Sequence, residues 1–298
     1  MTRPVLFHAA LAALVFSTSM AGMNLVASAA DTKAADPKVD ELGQAGAQLN
    51  KEGKYDEAIQ KFRELLKIDK ENALALANRA ASYDAEGKFQ HAVIDCDYAI
   101  KYDKKCTIAY INRAWAWNEL RNYKAALEDC NKALALEPNS SMAHVNRAHA
   151  ENKLRQFKKS VDDCDKAIAR HPDLVLAYLN RSHSYARLGQ HKDALADCNK
   201  AIELQPTNAK CYNNRCFIYA KLGDNEKALA DANKAIEINP KLGSAYLNRA
   251  LLCARTGKPD DAKADLERAK QYGVSTSDNV IAAPKELGKE AEGKKNSK

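Results

Sequence analysis

Val175 to Gly189 reads VLAYLNRSHSYARLG, and His191 to Pro206 reads HKDALADCNKAIELQP. Apolar residues recur at three- and four-residue spacing in both stretches, which predicts two amphipathic helices. Gly189 breaks the first and Pro206 ends the second, because glycine and proline are poor helix-interior residues. This helix-turn-helix unit recurs along the chain.

Asn-Arg occurs at 78–79, 112–113, 146–147, 180–181, 214–215 and 248–249, always 34 residues apart. Asp-Cys occurs at 95–96, 129–130, 163–164 and 197–198 with the same step, and Asp231 and Asp265 continue the series. Ala58, Ala92, Ala126, Ala194, Ala228 and Ala262 share the period, with Ser160 in the gap. Pro138, Pro172, Pro206 and Pro240 share it too. Several columns with one period are the mark of a repeat architecture.

The pattern resembles the tetratricopeptide repeat family, through the 34-residue period, the small residue of the first helix, the alanines of the second and the closing proline. It divides the chain into units 39–72, 73–106, 107–140, 141–174, 175–208, 209–242 and 243–276. The resemblance implies an all-α fold, a right-handed superhelical solenoid of about seven such units. The first unit diverges, with Gln44-Ala45 in place of Asn-Arg. The last carries Pro259 near the start of its second helix, where proline is tolerated. Terminal repeats are expected to be atypical because they cap the stack.

The resemblance also implies that the first helices line a concave groove. Asn78, Asn112, Asn146, Asn180, Asn214 and Asn248 would then form an asparagine ladder, as in O-GlcNAc transferase repeats, holding a peptide main chain. A carboxamide suits that role because it both donates and accepts. The alternative is that these amides bond within the scaffold. Three residues further on stand Ala81, Trp115, His149, His183, Phe217 and Leu251, on the same helix face. This column reads either as rings beside the ladder or as partly buried packing. His149 and His183 lack an evident third ligand, so no metal is expected. Lys153, Arg187, Lys221 and Arg255 follow Glu119 in a further column. They make the later groove basic and favour an acidic partner segment.

Arginine and aspartate keep a separation of 16 residues within a unit: Arg79/Asp95, Arg113/Asp129, Arg147/Asp163, Arg181/Asp197, Arg215/Asp231 and Arg249/Asp265. The first unit has Ala45 and Lys61 and lacks both. Joint presence and joint absence predict structural ion pairs. An arginine stripe for anionic ligands is the alternative. Cys96, Cys130, Cys164 and Cys198 share one position and stand too far apart to bridge, since stacked helices lie roughly 8–10 Å from one another. They read as small buried side chains. Ala80, Ala114, Ala148 and Ser182 accompany them, Cys216 accompanies Ala232, and Gly46 accompanies Phe62, as a close contact between small and large residues requires. Cys106, Cys211 and Cys253 follow no pattern.

The chain has 298 residues, 46 basic and 39 acidic, for a net charge of +7. That excess is mild and scattered, so no nucleic-acid partner is expected. Aromatic residues at 7% disfavour a β-sandwich, and 46% hydrophobic residues disfavour disorder throughout. Eight cysteines are too sparse for a disulfide scaffold. At the N-terminus, Arg3 precedes the apolar run Val5 to Phe16, and Ala27-Ser28-Ala29 offers a peptidase site. Residues 1–29 read as a bacterial secretory signal and 30–38 as a linker, which places the protein in the periplasm. An uncleaved inner-membrane anchor is the alternative, and the only case in which a membrane is a partner. Residues 277–298 read as a charged, flexible tail.

No nucleophile motif, phosphate loop or metal spacing appears, so neither an enzyme nor a cofactor is expected. The chain reads as a protein–protein interaction scaffold that holds an extended peptide or partner segment. The alternative is a cochaperone-like adaptor with a carboxylate clamp. That clamp requires Lys and Asn on the first helix of the first unit, where Gly43 and Ala47 stand. The next three units carry Ala77/Ala81, Ile111/Trp115 and Val145/His149 there.

Overall fold

The computed structural model describes residues 36–274. The stretches read as an export signal and as a charged tail, and most of the expected linker, lie outside the described residues. Those residues form fourteen helices and no strand. The helices are α1 (Pro37–Lys51), α2 (Tyr55–Ile68), α3 (Ala73–Ala85), α4 (Phe89–Tyr102), α5 (Thr107–Glu119), α6 (Tyr123–Leu136) and α7 (Ser141–Lys153). They continue with α8 (Phe157–Arg170), α9 (Val175–Arg187), α10 (His191–Leu204), α11 (Ala209–Leu222), α12 (Asn225–Ile238), α13 (Gly243–Arg255) and α14 (Pro259–Gln271). Among them no helix is long and apolar enough to cross a membrane.

Two compact units divide the chain after Gln156. In the first, α1 to α7 pack each on the next, and α1, α3, α5 and α7 also pack in succession. In the second, α8 to α14 follow the same rule, with α9 on α11 and α11 on α13. Small side chains make this close stacking feasible. Ala58, Ala92, Ala126, Ser160, Ala194, Ala228 and Ala262 are fully buried at one position of the second helices. Ala99, Ala133, Ala167, Ala201, Ala235 and Ala269 are fully buried at another, about two turns further along the same face. Alanine on both positions lets backbones approach without voids.

The first repeat solves the same contact with different sizes. Phe62 is fully buried, and a Cβ built on Gly46 would stand 2.7 Å from its Cζ. Glycine therefore makes room for a ring that occupies the place of cysteine in the next repeats.

The turn inside each repeat needs one left-handed residue. Gly53, Gly87, Gly189, Gly223 and Gly257 hold φ between 73° and 83° there. Arg121 and Arg155 take the same place with φ of 63° and 61°. Their Cβ atoms meet the following carbonyl, a cost of about 1–2 kcal/mol that glycine avoids.

The closing prolines act through their carbonyls. The Tyr178 hydroxyl donates to the Pro172 carbonyl at 3.0 Å, Tyr212 to Pro206 at 3.1 Å and Tyr246 to Pro240 at 3.0 Å. His144 Nε2 meets the Pro138 carbonyl at 3.1 Å. Each bond fixes the start of a first helix to the end of the preceding second helix.

Candidate functional site

Five arginines hold their own repeat's aspartate by paired hydrogen bonds. Arg79 donates to both carboxylate oxygens of Asp95 at 2.7 Å. Arg113 to Asp129, Arg181 to Asp197, Arg215 to Asp231 and Arg249 to Asp265 repeat this within 2.6–2.9 Å. The hydrogen bonds to Asp197, Asp231 and Asp265 hold the guanidinium pKa values of Arg181, Arg215 and Arg249 above their ordinary range. Arg147 belongs to the first unit and Asp163 to the second.

Arginines of this column from Arg113 onward also reach one repeat back. Arg113 donates to Asp97, Arg147 to Asn131, Arg181 to Asp165, Arg215 to Asn199 and Arg249 to Asn233. Each of these arginines thus ties successive repeats together. The acceptors form a column of Asp or Asn two residues after the Asp column. Arg63 holds that place in the first repeat and instead donates to the Tyr83 hydroxyl at 3.2 Å. With their donors directed at acceptors of the scaffold, these arginines are poor candidates for an anion-binding stripe.

The asparagine column does not lie open as one ladder. Asn112 and Asn146 are 5% and 1% exposed. Asn112 donates to the Ala77 carbonyl at 2.9 Å and Asn146 to the Ile111 carbonyl at 3.1 Å, both on the preceding first helix. Asn248 is half-buried and donates to the carbonyl and side chain of Asn213. These three amides bond within the scaffold, to groups on the first helix one repeat back. Asn78, Asn180 and Asn214 are half-buried.

A second set of amides supports the first helices. Asn50 Nδ2 donates to the Asn78 carbonyl and Asn118 Nδ2 to the Asn146 carbonyl. Asp84 takes the same place in the repeat between them and is buried. Burial, and then the charge of Glu119, push its carboxyl well above the usual carboxylate range.

The ring column is partly accessible. Ala81 is buried, Trp115, His149 and Phe217 are half-buried, and His183 and Leu251 are exposed. In the second unit these side chains meet others. His183, Arg187, Asn214 and Phe217 rim a recess of about 160 Å³, over a floor of Ser182, Ala186 and Ile218. Phe157, which opens α8, lies 6.3 Å from the His183 ring, and the Arg187 guanidinium sits 5.4 Å above it. The Lys221 ammonium sits 5.6 Å above the Phe217 ring. Arg187 and Lys221 are exposed and have no carboxylate partner among the described residues. Arg255 donates to the Ala220 carbonyl at 3.0 Å. The recess thus combines an amide, two cations and aromatic faces, a set that suits a main-chain group next to a carboxylate and an apolar side chain.

The thiols offer no nucleophile. All eight cysteines are free and buried. Burial pushes Cys198, Cys211 and Cys216 up to about 12. Among the described residues no cluster of His, Cys, Asp and Glu has metal-binding geometry.

A family model described as tetratricopeptide repeat matches residues 107–140, 175–208 and 209–242, and a second of the same description matches 243–272. Comparison with curated proteins finds no match. Among solved structures, a tetratricopeptide repeat protein from Parabacteroides merdae is 22% identical, with a TM-score of 0.63 over 85% of this chain and 99% of its own. A chain of the APC/C hetero-tetramer Cut9–Hcn1 is 13% identical, with a TM-score of 0.69 over 83% of this chain and 48% of its own. PilW, a type IV pilus biogenesis factor, is 21% identical, with a TM-score of 0.59 over 70% of this chain and 97% of its own. These likenesses concern the fold. The stretches that match the tetratricopeptide repeat models lie in both compact units of the chain.

Proposed function

We propose that the protein is a non-enzymatic interaction scaffold of the bacterial periplasm, which holds an extended, acidic segment of a partner protein on the first helices of its second unit. The observation that carries this reading is the recess between α9 and α11, where Asn214, His183, Arg187 and Phe217 converge. Asn214 serves the partner's main chain. Arg187 and Lys221 serve its carboxylates, and the Phe157 and Phe217 rings serve an apolar side chain between them. Export rests on the N-terminal pattern of Arg3, the apolar run and Ala27-Ser28-Ala29. Proteins of this fold serve as platforms for partners in general, so the partner's identity is sought by experiment.

Two experiments test the reading. Fractionation with N-terminal sequencing is expected to find a periplasmic chain that begins at Ala30; a cytosolic chain that begins at Met1 removes the export claim. Fluorescence anisotropy with a labelled peptide of alternating Glu and Leu tests the recess. Arg187→Ala with Lys221→Ala is expected to weaken binding about tenfold or more, and increasingly so at low salt. Equal binding by this double variant, with unchanged circular dichroism, places the partner elsewhere.

A further inference from the structure

The apolar floor of the recess comes from a change in two repeat columns. Near the end of the first helices, Asn50, Asp84, Asn118 and Asn152 share one position, which passes to Ala186 and Ala220. At a position 32 residues later the sizes reverse: Ser82, Ala116, Ala150 and Ser184 give way to Ile218 and Leu252. In the first unit this place is polar. Asn50 donates to the Asn78 carbonyl at 3.3 Å and accepts from the Ser82 hydroxyl at 2.7 Å. Asn118 donates to the Asn146 carbonyl at 2.9 Å. The Ala186 side chain has no polar atom, so the equivalent carbonyl, that of Asn214, receives no amide from it. Ile218, 1% exposed, takes up part of the space that an amide would fill, and the rest opens as the recess of about 160 Å³. Ser182, the polar residue of the floor, is fully buried and donates its hydroxyl to the Leu179 carbonyl at 2.9 Å.

The next interval repeats the apolar pair but is tied across. Arg255 donates to the Ala220 carbonyl, and Asn248 donates to Asn213. Arg187, the counterpart of Arg255, instead lies over the Phe157 ring and stays at the rim of the recess. We propose that Ala186 and Ile218 make the recess select one apolar side chain of the bound segment, of aliphatic or single-ring size, and turn away a polar one. An apolar cavity of about 150 Å³ holds a benzene-sized group. A polar group set on Ala186 and Ile218 would lose its water and find no partner there. The exposed Arg187 and Lys221 attract acidic segments of equal charge alike, so the floor does the choosing. The inference rests on the peptide-binding reading of the recess and names which residues of an acidic segment decide its binding.

Fluorescence anisotropy of the full chain tests this with two labelled peptides of equal charge, one alternating Glu and Leu, the other Glu and Asn. The native chain is expected to bind the leucine peptide about tenfold or more tightly than the asparagine peptide. Ala186→Asn with Ile218→Ser installs the pair that Asn50 and Ser82 form. This double variant is expected to keep its circular dichroism and to lose about tenfold in affinity for the leucine peptide. It is expected to bind the asparagine peptide as the native chain does, so the preference disappears. The comparison of peptides on the native chain needs no variant and decides the matter even if the double variant does not fold. Equal binding of both peptides by the native chain overturns the inference and leaves the peptide-binding reading in place. So does a folded double variant that keeps the native preference. Binding of neither peptide by the native chain removes the peptide-binding reading itself, and the inference with it.

Discussion

Gly46 and Phe62 show how one side chain sets what its neighbour must be. A Cβ on Gly46 would collide with a ring that is fully buried and has nowhere to move. Alanine is otherwise favoured over glycine in a helix by about 1 kcal/mol. Here the clash outweighs that preference, and Gly46→Ala is expected to destabilise by about 1–3 kcal/mol. Phe62→Cys alone opens a cavity and is expected to cost about 3 kcal/mol. The double variant recreates the alanine–cysteine contact of Ala80 with Cys96, so its loss is expected to be smaller than the sum by about 1 kcal/mol or more. Urea unfolding of the four proteins measures this, and additive losses would show that the two sites do not share a contact. The size compensation was legible in the sequence, since both partners lie in one repeat and change together. Arg121 and Arg155 were not, because a left-handed φ leaves no trace in a column where glycine is otherwise the rule but arginine stands.

At the scale of the helix, polar groups were legible only where both partners are side chains of one repeat. The Arg–Asp spacing announced its pairs for that reason. The acceptors of Asn112 and Asn146 are backbone carbonyls of the preceding helix, which have no residue signature, so ladder and scaffold bond looked alike. The reach of each arginine back to Asp97, Asn131, Asp165, Asn199 or Asn233 had a visible signal, an Asp or Asn after every Asp-Cys or Asp-Ala. Its meaning depends on how one repeat stacks on the next. Asp84 supplies a test. Asn50 and Asn118 donate to the carbonyl 28 residues later, and Asp84 can do so only when protonated. Its folded pKa is raised, so the neutral form is the one the fold favours, and the associated stability is full below the unfolded pKa of 3.8 and lost as pH rises through the folded value. Asp84→Asn keeps the donor at every pH. It is expected to stabilise the protein by about 1–2 kcal/mol at neutral pH, a gain that vanishes on acidification to pH ~3. Thermal unfolding across that range decides it; an equal gain at both ends would assign the effect to something other than ionisation. Arg181→Met tests the ion pairs in the same way. It strands Asp197 in a largely buried site and is expected to cost about 2–3 kcal/mol, part of which returns on adding Asp197→Asn.

Across the whole molecule the thiols act together. A chain expected to pass through an oxidising compartment carries eight of them, all free and all buried. Burial removes the two routes to oxidation, since a thiol inside the stack meets no oxidant and does not ionise to the reactive thiolate. A thiol-specific label at pH 8 is expected to modify the folded protein slowly and the urea-unfolded protein at once. The same burial makes stability depend on alkaline pH. Cys198, Cys211 and Cys216 ionise near 9.0 when exposed and at about 12 in the fold. Their folded values lie above the unfolded ones, so the stability they contribute is complete below pH 9.0 and is lost as pH rises towards 12. Denaturant midpoints are expected to stay level up to about pH 9 and to fall steeply above it. Cys198→Ala replaces a thiol with the side chain that the next repeat carries at Ala232, so it lowers stability at neutral pH but makes the alkaline decline shallower. An unchanged decline in that variant would assign the alkaline transition to tyrosines and lysines instead of the thiol column.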